Sequence, residues 1–175
     1  MSNPAIPRDE VHRLAEICGN DPAGHSPTAF RLLKEQRPLS RFIEQNAAAI
    51  GAVPAQVALY MLTVTIRVFE QVGGRMSKVS GETLDRAAAR VHGHMDEVLP
   101  PDKSLAERAR AVADRAQPHL LDEILWALYE REDSEKKEGE SDLDPQQSAL
   151  VYFLLWTAVE ALDASWRAPA SLGAQ

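Results

Sequence analysis

Hydrophobic residues recur along this chain mostly at intervals of three and four, and two stretches are apolar around almost their whole circumference. The first stretch covers residues 54–72. The second covers residues 145–166 and carries the acidic residues Glu160 and Asp163. A helix at the surface of a protein shows one apolar stripe, whereas a helix that is apolar on all sides is buried. The pattern therefore predicts two central helices.

Shorter amphipathic segments, separated by proline and glycine, lie before and between these two stretches. No segment combines alternating polarity with β-branched residues over the length of a strand, so the fold class is predicted to be all-α. We expect a single-domain helical bundle over residues 1–175, with seven or eight helices around the two central ones. The acidic loop at 130–144 is predicted to be flexible, because its composition is too polar to bury. The C-terminal tail at 168–175 is predicted to be loose.

Local signals predict where several of the helices begin. Ser26 and Pro27 form a cap and first-turn pair, and Ser104 with Glu107 has the spacing of a capping box. Pro118 would cost about 3 kcal/mol inside a helix but is tolerated in a first turn, so a helix break is expected there.

The number of helices between the two central ones predicts how those two pack against each other. With a break at Pro118 they run parallel, because helices joined by short turns usually alternate in direction. Arg67 and Glu160 each lie a few residues from the end of their helix. Parallel packing would therefore bring them to one level as a structural ion pair, and Arg67→Met would then destabilise the protein far more than Arg110→Met.

Composition and charge narrow the range of partners and compartments. The chain has 175 residues and a formal net charge of −7, which disfavours binding to nucleic acid. The apolar run at 149–159 is too short for a membrane span, which needs about 18 residues. The N-terminus lacks the pattern of a secretory signal, and the single cysteine, Cys18, cannot form an internal disulfide. We therefore expect a cytoplasmic protein that binds neither nucleic acid nor membrane.

Four residues on two helices are candidate metal ligands. His92 with Asp96 and His119 with Glu123 are each four residues apart, so each pair shares a helix face. They could join the acidic pair of the last helix in a site between helices. The spacing is permissive rather than diagnostic, and solvated or helix-pairing histidines explain it equally well. We expect no cofactor.

A glycine-rich connection at 73–81 is a candidate anion site. It contains Arg75, Ser77 and Lys78 just before the start of a helix, and helix N-termini attract anions. It lacks the Gly-Lys-Ser/Thr ending of a phosphate-binding loop, so an ordinary connection between helices is the alternative.

Glu160 and Asp163 are the candidate catalytic residues, because carboxyl groups three residues apart share one face of a helix. No serine, cysteine or histidine occurs in a recognisable nucleophile context. The leading hypothesis is therefore a non-catalytic helical interaction or regulatory module that binds a protein partner or associates with itself as a homodimer. The alternative is a small-molecule-binding or metal-dependent enzyme with its site between helices.

Overall fold

The computed structural model describes residues 3–131 and 143–173, and it confirms the all-α prediction with a helical content of 77%. The acidic loop predicted at 130–144 lies mostly outside the described residues. The nine α-helices of the described residues are α1 (Arg8–Asn20), α2 (Pro22–Glu35), α3 (Arg37–Ala47), α4 (Ala52–Val72), α5 (Gly81–Val98), α6 (Leu105–Arg110), α7 (Pro118–Leu125), α8 (Pro145–Ala164) and α9 (Ala170–Gly173). A 3₁₀ turn (Ala48–Ile50) follows α3, and a π-helical turn (Trp126–Glu130) extends α7.

Helix α8 lies at the centre of the hydrophobic core. Of its 20 residues, 14 are buried, which includes both acidic residues near its C-terminal end. Its side chains Tyr152 and Trp156 are among the largest that are fully buried. This enclosure agrees with the sequence pattern, because a helix without a polar face has to be covered on all sides.

Helix α4 also packs into the core, but by one side. Eight of its 21 residues are buried, and Val53 and Tyr60 are 42% and 47% exposed. Among the described residues, α4 is the one helix whose length and apolar composition would suffice to cross a membrane. Core helices of soluble proteins meet the same criterion, and 44% of its most apolar stretch is buried within this protein.

The C-terminal ends of α4 and α8 meet at a short antiparallel strand pair, β1 (Arg75–Met76) with β2 (Trp166–Arg167). Gly74 makes this approach possible: its φ is +80°, and a Cβ added there would lie 2.3 Å from the carbonyl oxygen of Arg167. The Phe69 and Trp166 rings are 4.9 Å apart beside it. These contacts place the two helix ends together, as parallel packing requires.

Pro118 begins α7, and the helix break predicted there is present, although α6 already ends at Arg110. Gln117 before Pro118 adopts the left-handed conformation with φ 49° although it carries a side chain. Such a backbone costs energy for any residue other than glycine, so the side chain of Gln117 has to compensate through its contacts.

One predicted helix start is wrong, and one predicted capping box does not form although its helix begins after Ser104 as expected. Helix α2 begins at Pro22, where the Asp21 side chain accepts a hydrogen bond from the backbone N–H of Gly24, so Pro27 lies inside the helix. Ser104 forms no capping bond with its side chain. Asp102 instead accepts a hydrogen bond from the backbone N–H of Ser104.

The tail that was expected to be loose contains α9, whose Leu172 packs against the core.

Candidate functional site

An open cleft of about 1030 Å³ lies beside the C-terminal end of α8, and we call it the α8 cleft. Five parts of the chain form it: the N-terminal segment, α5, the turn between α6 and α7, α8, and the segment from β2 to α9. Its lining residues are Asn3, Pro4, Arg90, Ala113, Asp114, Arg115, Ala116, Glu160, Asp163, Ala164, Trp166, Arg167, Ala168, Pro169, Ala170 and Gly173. Both candidate catalytic residues of the sequence therefore face one cavity.

The Glu160 carboxylate is held firmly by one oxygen and weakly by the other. Its Oε1 accepts hydrogen bonds from the backbone N–H of Ala116 at 3.0 Å and from Trp156 Nε1 at 3.2 Å. Its Oε2 is buried and accepts no hydrogen bond, although Arg90 Nη1 lies 3.1 Å away. Burying a carboxylate oxygen without a hydrogen-bond donor costs free energy. A donor that reached Glu160 Oε2 would remove this cost.

Arg90 covers the unused oxygen from the solvent side. Its side chain is 56% exposed, whereas that of Glu160 is 4% exposed. A further contact, at 3.4 Å, joins its Nη2 to the backbone oxygen of Asp114. The Arg90 guanidinium therefore lies on the solvent side of a buried carboxylate that Trp156 and Ala116 hold in place.

Asp163 is held by amide side chains from distant parts of the chain. Its Oδ1 accepts from Gln117 Nε2 at 2.9 Å and from Asn3 Nδ2 at 3.2 Å. Gln117 also accepts from the backbone N–H of Ile6 and donates to the backbone oxygen of Pro4. These bonds tie the N-terminal segment to α8 and explain how the strained backbone of Gln117 is maintained.

The remaining charged groups of the cleft differ in how they are paired. Arg115 is buried and donates to Asp122 and to two backbone oxygens, those of Arg110 and Val112. Asp114 lies 3.4 Å from a ring nitrogen of His94. Arg167 is exposed and has no ion-pair partner among the described residues. The cleft is therefore lined by three carboxylates, those of Asp114, Glu160 and Asp163, and by Arg167, which makes no ion pair with a described residue.

The ion pair predicted between Arg67 and Glu160 does not form. Arg67 Nη1 instead donates to His25 Nδ1 at 2.9 Å and lies 3.8 Å from Cys18 Sγ. The ends of the two helices do meet, but the Arg67 side chain projects toward α1 and α2, away from the α8 cleft. The sequence places a residue along a helix, whereas the direction of its side chain depends on how the helix is rotated in the core.

The metal-ligand candidates do not come together. His92 and Asp96 are exposed on α5, while the Glu123 carboxylate is buried against Arg8 and against His12, whose Nδ1 lies 2.8 Å away. His119, on α7, is half-buried. Among the described residues, no group of three or more histidine, cysteine or acidic side chains could hold a metal ion.

The candidate anion loop serves as a structural connection. The backbone N–H of Ser77 donates to the oxygen of Ser165, and its backbone oxygen accepts from the Gln36 side chain. Ser80 caps α5 through the N–H of Thr83. Arg75, Ser77 and Lys78 are all exposed on this connection.

Sequence reasoning missed four residues that shape the α8 cleft: Asn3, Arg90, Gln117 and Arg167. Asn3 and Gln117 reach Asp163 across 160 and 46 residues of sequence. Arg90 lies on the polar side of an amphipathic helix, where charged residues are ordinary. No local pattern marks any of the four, because their role arises from contacts between distant segments.

No protein-family model, curated protein or solved structure matches this chain.

Proposed function

We propose that this protein binds a small polar molecule in the α8 cleft and that the ligand donates a hydrogen bond to Glu160 Oε2. The observation that carries the proposal is the unsatisfied oxygen itself. Buried polar atoms are almost always hydrogen-bonded, and the exceptions call for an explanation. A ligand donor at this position supplies one, because it removes the cost of the missing bond.

The surroundings of Glu160 favour a binding site over a purely structural ion pair. A structural pair gains from two well-formed hydrogen bonds and from the burial of both partners. Here the arginine is largely exposed and the contact lacks hydrogen-bond geometry. The Trp156 and Ala116 donors meanwhile hold the carboxylate in place before any ligand arrives, which lowers the entropy cost of binding.

The proposal can be tested by filling the cleft. Ala164 is exposed and lines the cleft, so Ala164→Trp should fill it without disturbing the core. A ligand found by a thermal-shift screen of polar metabolites should raise the melting temperature of the wild type, because it binds the folded state. The shift should be lost in the filled variant.

Ala89→Trp is the matched control. Ala89 is also exposed and helical, but it does not line the cleft, so this variant should keep the full thermal shift. A ligand whose shift survives Ala164→Trp binds elsewhere, and such a result would contradict the proposal. The same holds if no polar metabolite stabilises the wild type.

A second candidate function is self-association through α4, and it preserves the interaction-module hypothesis. Val53, Val57, Tyr60 and Val64 are spaced four, three and four residues apart, so they lie on one helix face. All four are half-buried or exposed in the single chain. An apolar stripe of this kind suits contact with a second copy of the chain, since burying it there removes apolar surface from water.

A further inference from the structure

We infer that the ligand of the α8 cleft is a zwitterion, with an ammonium group that binds Glu160 and an acidic group that binds Arg167. This inference rests on the proposed function and adds the chemical class of the ligand. Two observations carry it independently: Glu160 Oε2 accepts no hydrogen bond at the base of the cleft, and Arg167, which lines the cleft, makes no ion pair with a described residue.

The acidic side of the cleft is formed by the carboxylates of Glu160 and Asp163, and Arg90 lies 3.1 Å from Glu160 Oε2. Glu160 Oε2 has no hydrogen bond, and Asp163 lies one helical turn further along the same face of α8. The Asp163 carboxylate is held by neutral amides at Oδ1 and has no cation against it among the described residues. An ammonium group has three donors and a positive charge, so it satisfies this pair better than a neutral hydroxyl does.

The basic side of the cleft contains Arg167, whose planar guanidinium group carries several N–H donors. Arg167 lines the cleft, is exposed, and makes no ion pair with a described residue. Arg115, the other basic residue of that wall, uses its donors on Asp122 and on backbone oxygens. Planar guanidinium groups bind carboxylates and phosphates through two parallel hydrogen bonds, so Arg167 selects an acidic group.

Arg90 lies at the position that the ligand ammonium would take. Its guanidinium lies over Glu160 Oε2 and partly neutralises that charge. A ligand ammonium replaces the arginine at the same oxygen, and Arg90 turns to solvent, where its side chain already lies for the most part. The charge near the carboxylate is thereby conserved, which keeps the cost of the exchange small.

Three probes of equal carbon-chain length separate the two interactions. γ-Aminobutyrate carries both charges, butylamine carries only the ammonium group, and butyrate carries only the carboxylate. Isothermal titration calorimetry of the full chain should show that γ-aminobutyrate binds at least tenfold more tightly than either of the other two. The zwitterion gains from both ends of the site at the entropy cost of ordering one molecule.

Two variants assign the ends of the ligand. Glu160→Gln keeps the acceptor for Ala116 and Trp156, so it should fold, and it should weaken γ-aminobutyrate and butylamine at least tenfold while leaving butyrate unchanged. Arg167→Gln should weaken the binding of γ-aminobutyrate and butyrate at least tenfold while leaving that of butylamine unchanged. Arg86→Gln, on the exposed side of α5 in a pair with Glu82, is the control and should change none of them.

The outcomes separate this inference from the proposed function. Equal binding of butyrate and γ-aminobutyrate, or no binding of any amine below a Kd of about 1 mM, would overturn the zwitterion inference. A neutral polyol that binds the wild type but not Ala164→Trp would overturn the inference as well, while leaving the cleft as the binding site. If Glu160→Gln does not fold, the order of the three probes on the wild type decides the question.

Discussion

At the scale of single residues, His25 shows how one buried side chain acquires a defined protonation state. Arg67 only donates hydrogen bonds, so its contact at 2.9 Å assigns the lone pair to His25 Nδ1 and the proton to Nε2. That proton is donated to Thr63 Oγ1, also at 2.9 Å. Burial and the charge of Arg67 both lower the pKa of His25 below its ordinary value. The imidazole is therefore neutral in the folded protein.

This lowered pKa makes stability depend on pH with a defined sign. Below about pH 6.5 the unfolded chain protonates this histidine while the folded protein resists, so stability falls as the pH falls toward the folded-state pKa. We expect the stability difference between the wild type and His25→Gln, measured by urea unfolding, to shrink as the pH drops from neutral through that range. A constant difference would contradict this account.

His12 is the internal control with the opposite sign. Its hydrogen bond to Glu123 raises its pKa, so its contribution is fully present below about pH 6.5 and is lost as the pH rises through the folded-state pKa. The difference between the wild type and His12→Gln should therefore shrink toward alkaline pH. The change should be modest, because the His12 side chain is 38% exposed.

At the scale of elements, two helix starts show whether a capping signal in the sequence forms the hydrogen bonds that it predicts. The start of α8 carries a complete capping box: the Asp144 side chain accepts from the N–H of Gln147 at 2.8 Å, and the Gln147 side chain accepts from the N–H of Asp144 at 3.0 Å. Ser104 has the same sequence spacing to an acidic residue but forms no such bond. The spacing is therefore not sufficient for a capping box.

The two sites form a matched pair for mutation. Asp144→Ala should lower the free energy of unfolding by about 1 kcal/mol, because it removes a side-chain cap from the central helix. Ser104→Ala should change it by less than about 0.5 kcal/mol, since no capping bond is lost there. Urea denaturation of both variants checks the contrast, and equal losses would show that the Asp144 cap contributes nothing beyond the ordinary effect of a surface substitution.

At the scale of the whole molecule, the two apolar helices have different surroundings. Helix α8 is enclosed on all sides, whereas α4 leaves the stripe that begins at Val53 facing outward. In the single chain Val53 and Tyr60 of this stripe are 42% and 47% exposed, although the Tyr60 ring also contacts that of His25. Self-association would cover the stripe and would make the two helices alike in burial.

Sedimentation over a range of concentrations tests this arrangement. If α4 mediates a homodimer, Val53→Lys should raise the dissociation constant at least tenfold, because a charged residue would have to be buried at the contact. Ile17→Lys is the control: Ile17 is 45% exposed, close to the 42% of Val53, but it lies on α1. A wild type that stays monomeric up to about 1 mM would contradict self-association through α4.

The sequence by itself determined the helical content, the position of α8 in the core and the break at Pro118, because each depends on neighbouring residues along one segment. It also predicted that Glu160 and Asp163 share a helix face, since their spacing of three residues settles that question locally. Both residues line the α8 cleft for this reason.

Only the tertiary structure decided the partners of those carboxylates. Glu160 contacts Arg90 rather than Arg67, and Asp163 is held by Asn3 and Gln117 from distant parts of the chain. These choices depend on how each helix is rotated about its axis and on which segments meet at its end. The rotation results from the packing of the whole core, to which every helix contributes, so no single segment of sequence contains it.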